Sequence, residues 1–278
     1  MKKILIPTKL NPIAKKTLES HGNYQVVQDD SKDIDELISE HSDVHGIIVR
    51  SEKISSKIID ALPDLKIIVR AGAGYNTIDT KYARKKGVDV MNTPGANANA
   101  VAEEVVALML ADARHLIPGD ISCRQGKWEK KNFMGTEITG KTIGIVGFGA
   151  IGQLVAKRLS GFDVKILAFD PFLKVEKARL FDAVPVELKQ IFEECDYISL
   201  HMPENDETRG IINKSFFELM KEGATLINCA RAGILNEDDF RAIKEDKKLR
   251  LLNDVYPKDE AGEKPIADIA DIMLPHLG

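Results

Sequence analysis

The stretch TIGIVGFGAIGQLVAKRL, residues 142–159, constrains the fold more than any other part of this chain. An apolar run that reads as a buried strand meets glycines at 147, 149 and 152, and these pass directly into a segment with apolar residues at helical spacing. Each glycine answers a separate need. Gly147 permits the tight turn, Gly149 lets an anionic ligand approach the backbone, and Gly152 lets helix and strand pack closely. The amides at Ala150 and Ile151 then open a helix, whose unpaired N–H groups and positive dipole end favour a phosphate. Three glycines alone are weak evidence; their placement between a strand and a helix gives them weight.

The next apolar run, VKILAFD, ends at Asp170, the interval at which a carboxylate reaches the hydroxyls of an adenine ribose. A carboxylate there repels a 2′-phosphate, so NAD is the expected cofactor, while Lys174 and Lys177 keep NADP open.

Apolar runs alternate with amphipathic stretches on both sides of this motif: KKILIPT, YQVVQ, GIIVRS, LKIIVRAG and VDVMNT before it, YISLHMP, ATLINCA, LRLLNDV and IMLPHLG after it. Runs too apolar for a sheet with one wet face argue for parallel sheets covered by helices on both sides. The fold class expected is therefore α/β, with two Rossmann-like, doubly wound parallel-sheet domains and an active-site cleft between them. The turn NTPG at 92–95 marks the boundary, giving domains 1–94 and 95–278, and the Ala- and Leu-rich segment 97–117 reads as an interdomain helix.

Composition narrows the function classes. The chain has 278 residues, 44% of them apolar, which is ample for a core without staples. A formal charge of -4 with scattered lysines gives no basic block for nucleic acid. No run approaches a membrane span, and the apolar stretch at the N-terminus breaks at Pro7, too early for a signal segment. Cys123, Cys195 and Cys229 have neither paired nor metal-type spacing, which predicts buried free thiols, a reducing compartment and a cytoplasmic address.

Three polar features in the second half follow apolar runs, the edge at which open α/β sheets bind ligands. Arg231 in NCARAG could hold a carboxylate through two parallel hydrogen bonds, or could be an ordinary surface arginine. Asp254 closes LLND and is followed by a loop carrying Asp259 and Glu260; a strand-end cap is its plainer reading. His276 in PHLG, paired with a carboxylate, has the equipment of a general acid and base.

The order G-x-G-x-x-G, acid, arginine, acid, histidine resembles the D-isomer-specific 2-hydroxyacid dehydrogenases over essentially the whole chain. VRAGAGYNTID, NTPGANANAVAEE, LHMPENDETRGIIN and LMKEGATLINCARAGILNEDDF extend the resemblance. Within the family, GKWEKKNFMGTEITGKTIGIVGFGAIG looks most like the branch that oxidises D-3-phosphoglycerate, the opening step of serine synthesis.

The resemblance implies that Arg231 binds the substrate carboxylate and carbonyl, that His276 exchanges the hydroxyl proton, and that Asp259 orients the imidazole. Where the family more often has glutamate, Asp259 is one methylene shorter, so Glu260 stays open as a substitute. Asp254 and the backbone of Cys229 and Ala230 would meet the nicotinamide, with His201, Met202 and Pro203 lining the cofactor. Gly72, Ala73 and Gly74 would take the substrate carboxylate, Arg50 and Arg70 a distal phosphate or the carboxylate, and Asn97 the substrate. A homodimer through the interdomain helices is implied, with Lys130 and Lys131 reaching the neighbouring pocket.

The basic residues at 50, 70, 130 and 131 favour a phosphorylated substrate; an unphosphorylated one such as hydroxypyruvate, glyoxylate or a D-lactate analogue stays open. So does a non-catalytic NAD sensor, against which Arg231 and His276 argue. No metal is expected. Family members continue past this histidine into a helix returning to the first domain. The expectation is thus a chain that stops short of that helix, binds NAD, and turns over poorly beside an extended one.

Overall fold

The alternating strand and helix periods resolve into two parallel sheets, one in each of two units, Met1–Asn97 and Ala98–Gly278. The computed structural model describes every residue except Asp259. In the first unit β1 (Lys2–Ile6), β2 (Tyr24–Gln28), β3 (Gly46–Val49), β4 (Ile67–Arg70) and β5 (Asp89–Met91) lie in the order β2-β1-β3-β4-β5. This is one of the two common doubly wound orders. Leu5, Ile47, Val49 and Ile68 are fully buried beneath helices carrying Leu37, Ile58 and Ile59.

The second unit has seven strands, β6 (Thr142–Val146), β7 (Lys165–Phe169), β8 (Ala183–Pro185), β9 (Tyr197–Leu200), β10 (Thr225–Asn228), β11 (Arg250–Asn253) and β12 (Ile272–Met273). Their order is β12-β11-β10-β9-β6-β7-β8, the dinucleotide-binding arrangement in which the chain reverses direction across the sheet between β6 and β9. The central strands β6, β9, β10 and β11 are buried on both faces, which explains their continuous apolar runs. Ile143 and Ile145 pack with Val105, Met109 and Val155 on one side, while Val146 and Ile198 pack with Phe192, Phe217 and Phe240 on the other.

The segment 97–117, expected as one helix, is divided. Ala98–Ala113 is helical, His115 turns left-handed at φ 50°, and a second helix runs Leu116–Arg124. The cause is local: Pro118 has no N–H for a continuing helix but is tolerated in the first turn of a new one. The first unit likewise closes at Asn97 rather than at residue 94. The 98–113 helix is pinned to its sheet by the buried Asp112 carboxylate, which accepts from Arg250 Nε at 2.6 Å and from the Thr225 hydroxyl at 3.1 Å. Breaking one side of such a buried pair typically costs about 3 to 5 kcal/mol.

Cys195 and Cys229 are buried, as their free-thiol reading requires, whereas Cys123 is exposed. Among the described residues no helix is long and apolar enough to cross a membrane.

Candidate active site

Each candidate site residue of the second unit, apart from Lys130 and Lys131 and the undescribed Asp259, follows a strand on the C-terminal side of the sheet. The glycine loop follows β6, Asp170 follows β7, His201–Pro203 follow β9, Cys229–Arg231 follow β10, Asp254 follows β11 and His276 follows β12. Parallel strands carry all these residues to one edge, where the reversal between β6 and β9 opens a crevice.

The three glycines differ as the spacing predicts. Gly147 has φ 94°, and a Cβ there would lie 2.7 Å from the His201 carbonyl carbon and oxygen. A Cβ on Gly152 would lie 2.3 Å from the Gly147 carbonyl oxygen, so helix and strand touch backbone to backbone. Among the described residues nothing lies within 4 Å of the Gly149 Cβ position, and Gly149 caps the Ala150–Leu159 helix with no side-chain acceptor among them on the first amides. The result is an open cradle of N–H groups at a helix start, which fits a pyrophosphate. Asp170, after β7, stands at the same loop, accepting from Phe148 N–H at 2.9 Å and Phe172 N–H at 2.9 Å.

His201 sits between loop and sheet. Its N–H donates to the Val146 carbonyl at 2.7 Å, and its Nε2 lies 2.8 Å from Ser199 Oγ. Nδ1 is buried without a hydrogen-bond partner among the described residues, and burial pushes the imidazole down to about 4, so the ring is neutral. Met202 and Pro203 continue into the loop; Pro203 offers its carbonyl to the Thr208 hydroxyl at 2.6 Å.

At the ends of β10 and β11 two buried asparagines stand in register, Asn228 opposite Asn253. Asn228 accepts from Ala230 N–H at 3.1 Å and donates to the Arg231 carbonyl at 3.1 Å, which shapes the turn after the strand. Arg231 is half-buried, with Nη1 on the Ala230 carbonyl at 2.6 Å. Asn253 donates to the Val255 carbonyl at 2.7 Å in the equivalent place. Neither asparagine was singled out in the sequence, although ATLIN and RLLN both end on one.

Asp254 is 1% exposed, and its two oxygens accept the amides of Leu277 at 2.8 Å and Gly278 at 3.1 Å. Leu274 N–H donates to the Asn253 carbonyl at 3.0 Å, and Tyr256 hydroxyl to the Leu274 carbonyl at 2.8 Å. His276, exposed and at φ 57°, stands in the turn these bonds hold. Cys229 and Ala230, directly after β10, are buried, and burial pushes the Cys229 thiol well up, so it stays protonated. Asp259 lies outside the described residues. Glu260 is exposed, its carboxylate 3.8 Å from Lys258 Nζ.

In the first unit the Arg70 side chain lies directly over Gly72, where a Cβ would overlap the guanidinium. Thr93 N–H donates to the Gly72 carbonyl at 3.0 Å, and Asn92 to the Ala73 carbonyl at 2.7 Å, which fixes the Gly72–Gly74 turn after β4. Arg50 is exposed after β3, its N–H on Glu52 Oε2 at 2.7 Å. Asn97 is the last turn residue before the 98–113 helix. In the second unit Lys130 and Lys131 are exposed on a short 3-10 turn. Among the described residues no cluster of acidic, histidine or cysteine side chains could hold a metal ion.

Residues 106–278 match the family model described as D-isomer specific 2-hydroxyacid dehydrogenase, NAD binding domain. A D-3-phosphoglycerate dehydrogenase of Rattus norvegicus is 37% identical over 281 residues, covering 100% of this chain and 52% of the rat protein. The chain thus spans about half the length of that relative. A hydroxypyruvate reductase of Thermotoga maritima is 42% identical over 253 residues, covering 88% of this chain and 81% of that protein. An NAD-dependent formate dehydrogenase from Staphylococcus aureus, solved in complex with NAD, superposes with a TM-score of 0.84 at 26% identity, covering 99% of this chain and 88% of that one. Cradle geometry and the matched nucleotide-binding model agree on NAD as the cofactor. A glycine cradle at the strand-order reversal, and an arginine and a histidine at the ends of strands of the same sheet, accompany these matches: the chain belongs to the D-isomer-specific 2-hydroxyacid dehydrogenases.

Proposed function

We propose that this chain catalyses NAD-dependent oxidation of D-3-phosphoglycerate at C2 to 3-phosphohydroxypyruvate, the opening reaction of serine synthesis. The observation that carries the reading is the arrangement of Arg231, Asp254 and His276 at the ends of β10, β11 and β12, in the same sheet whose β6 carries the glycine cradle.

Gly147, Gly149, Ala150, Ile151 and Gly152 would hold the pyrophosphate, Asp170 the adenine ribose, and His201–Pro203 the wall of the crevice. Cys229, Ala230 and Asp254 would meet the nicotinamide side. Bound there, NAD supplies the hydride acceptor. Arg231 would grip the substrate carboxylate, and a permanently charged planar fork suits that task. His276 would remove the hydroxyl proton as the C2–H bond breaks, with Asp259, or Glu260 beside it, stabilising the imidazolium. The first unit's part would be anion binding by the Gly72–Gly74 turn and by Arg50 and Arg70, with Asn97 on the substrate.

A homodimer also belongs to the proposal. Leu116, Ile117, Ile121, Trp128 and Met134 are exposed apolar side chains on and just after the 116–124 helix. Such a group of large apolar residues marks an interaction surface, and Lys130 and Lys131 lie within the same stretch.

The alternative is the same chemistry on hydroxypyruvate or glyoxylate, favoured by the 42% identity to the Thermotoga maritima protein. NADH oxidation with 3-phosphohydroxypyruvate and with hydroxypyruvate separates the two. A distal phosphate held by even one charge-assisted hydrogen bond gives a preference of about tenfold or more in kcat/KM. The opposite preference moves the function to a general keto-acid reductase.

A further inference from the structure

Within the second unit, the carboxyls of Glu104 on the 98–113 helix and Asp254 after β11 meet at the backbone of Gly278. A methyl group built on Gly278 would lie 2.9 Å from Glu104 Oε2 and 3.1 Å from Asp254 Oδ2, so the two carboxyls converge on one point. Asp254 receives two backbone amides, those of Leu277 and Gly278. Glu104 Oε1 is buried and has no hydrogen-bond partner among the described residues.

Two ionised carboxylates do not coexist at such contact, because like charge disfavours the second ionisation. The amides decide which one keeps its charge. Both Asp254 oxygens already accept amides, so the shared proton belongs on Glu104, where it becomes the donor of a hydrogen bond between them.

We propose that Glu104 is a positioning residue for His276: its protonated carboxyl donates to Asp254, and Asp254 so held grips the amides of Leu277 and Gly278, the residues that complete the histidine's turn. The importance of His276 rests on the function proposed above; the clamp itself does not.

The surroundings support a single shared proton. Burial first, then the Asp254 charge, pushes Glu104 up to about 7, and among the described residues Asp254 is the one charged group that shifts it. The Cys229 thiol, buried near both carboxyls, is held neutral. Neighbouring Glu103 is engaged elsewhere, 3.4 Å from Arg158 Nη2, and brings no counter-charge. Ionising Glu104 therefore exchanges a hydrogen bond for a repulsion, and the turn loosens.

Amide exchange at Leu277 and Gly278, followed by NMR on the whole chain from about pH 6 to about pH 8.5 and corrected for intrinsic rates, tests this. Protection is expected to fall about tenfold across that range in the wild type. In Glu104→Gln, whose amide donates at every pH, it should stay high and flat; in Glu104→Leu, which neither donates nor ionises, it should be low throughout. Flat protection in the wild type, a wild-type fall in Glu104→Gln, or equal protection in the Gln and Leu variants overturns the proposal. If the chain turns over, Glu104→Gln should also lose the alkaline decline in kcat while its KM for NAD is unchanged. Absence of turnover would count against the dehydrogenase reading alone, because exchange needs no substrate.

Discussion

Replacing Gly149 by alanine should weaken NAD binding about tenfold to a hundredfold while leaving the fold intact. Among the described residues no atom lies within 4 Å of the Gly149 Cβ position, and its backbone, at φ -73° and ψ -155°, is extended. The added methyl meets no protein atom, so the folding terms are small and opposed. A less entropic unfolded chain stabilises by roughly 0.4 to 1 kcal/mol, and alanine is a poorer N-cap than glycine by a similar amount. Stability should therefore stay within about 0.5 kcal/mol of the wild type. The same methyl occupies the space a pyrophosphate needs to reach the helix amides. Losing one charge-assisted hydrogen bond costs about 1.5 to 3 kcal/mol, which weakens NAD about tenfold to a hundredfold. Urea unfolding without NAD and calorimetric titration with NAD read the two quantities separately. Unchanged NAD affinity in a folded Gly149→Ala protein would refute the cradle.

Gly152→Ala should fail in both assays, because its Cβ would sit 2.3 Å from the Gly147 carbonyl oxygen; a loss of about 1 to 3 kcal/mol by urea unfolding, with weaker NAD binding, is expected. Asn228→Ala leaves the Ala230 amide without its acceptor and frees the Arg231 turn, so unfolding should show a loss of about 1 to 3 kcal/mol, and any turnover should fall in kcat/KM. Glu104 gives a pH signature in stability. Its native value near 7 lies above the usual 4.5, so the folded state binds the extra proton, and the associated stability is full below about 4.5 and lost as pH rises through about 7. At most about 3 kcal/mol is at stake, and Glu104→Gln should remove that part of the pH dependence of unfolding.

The parts of this site set by backbone geometry were legible in the sequence. Gly147, Gly149 and Gly152 reveal themselves because a strand-to-helix turn around an anion has one spacing, and Asp170 because the next parallel strand returns a fixed distance later. Arg231 and His276 were legible as polar residues following apolar runs. The break at His115 was harder to see, since nothing about a histidine announces a left-handed residue; Pro118 was the available signal, through the helix start it demands. The paired asparagines Asn228 and Asn253 were hidden because their roles depend on the register of β10 with β11. Glu104 was beyond reach for a stronger reason. Its partner Asp254 is distant in sequence, and beside Glu103 it reads as one more solvated acid until the fold brings the two together.

The most direct test of the central claim is transfer of deuterium from C2 of D-3-phosphoglycerate to NAD under single-turnover conditions, a readout that registers even a slow enzyme. Label should appear in NADH from the D isomer and not the L isomer, and His276→Gln should slow the transfer by about a hundredfold or more with NAD affinity unchanged. No transfer from the D isomer by protein that binds NAD, or transfer at the wild-type rate in His276→Gln, would contradict the account.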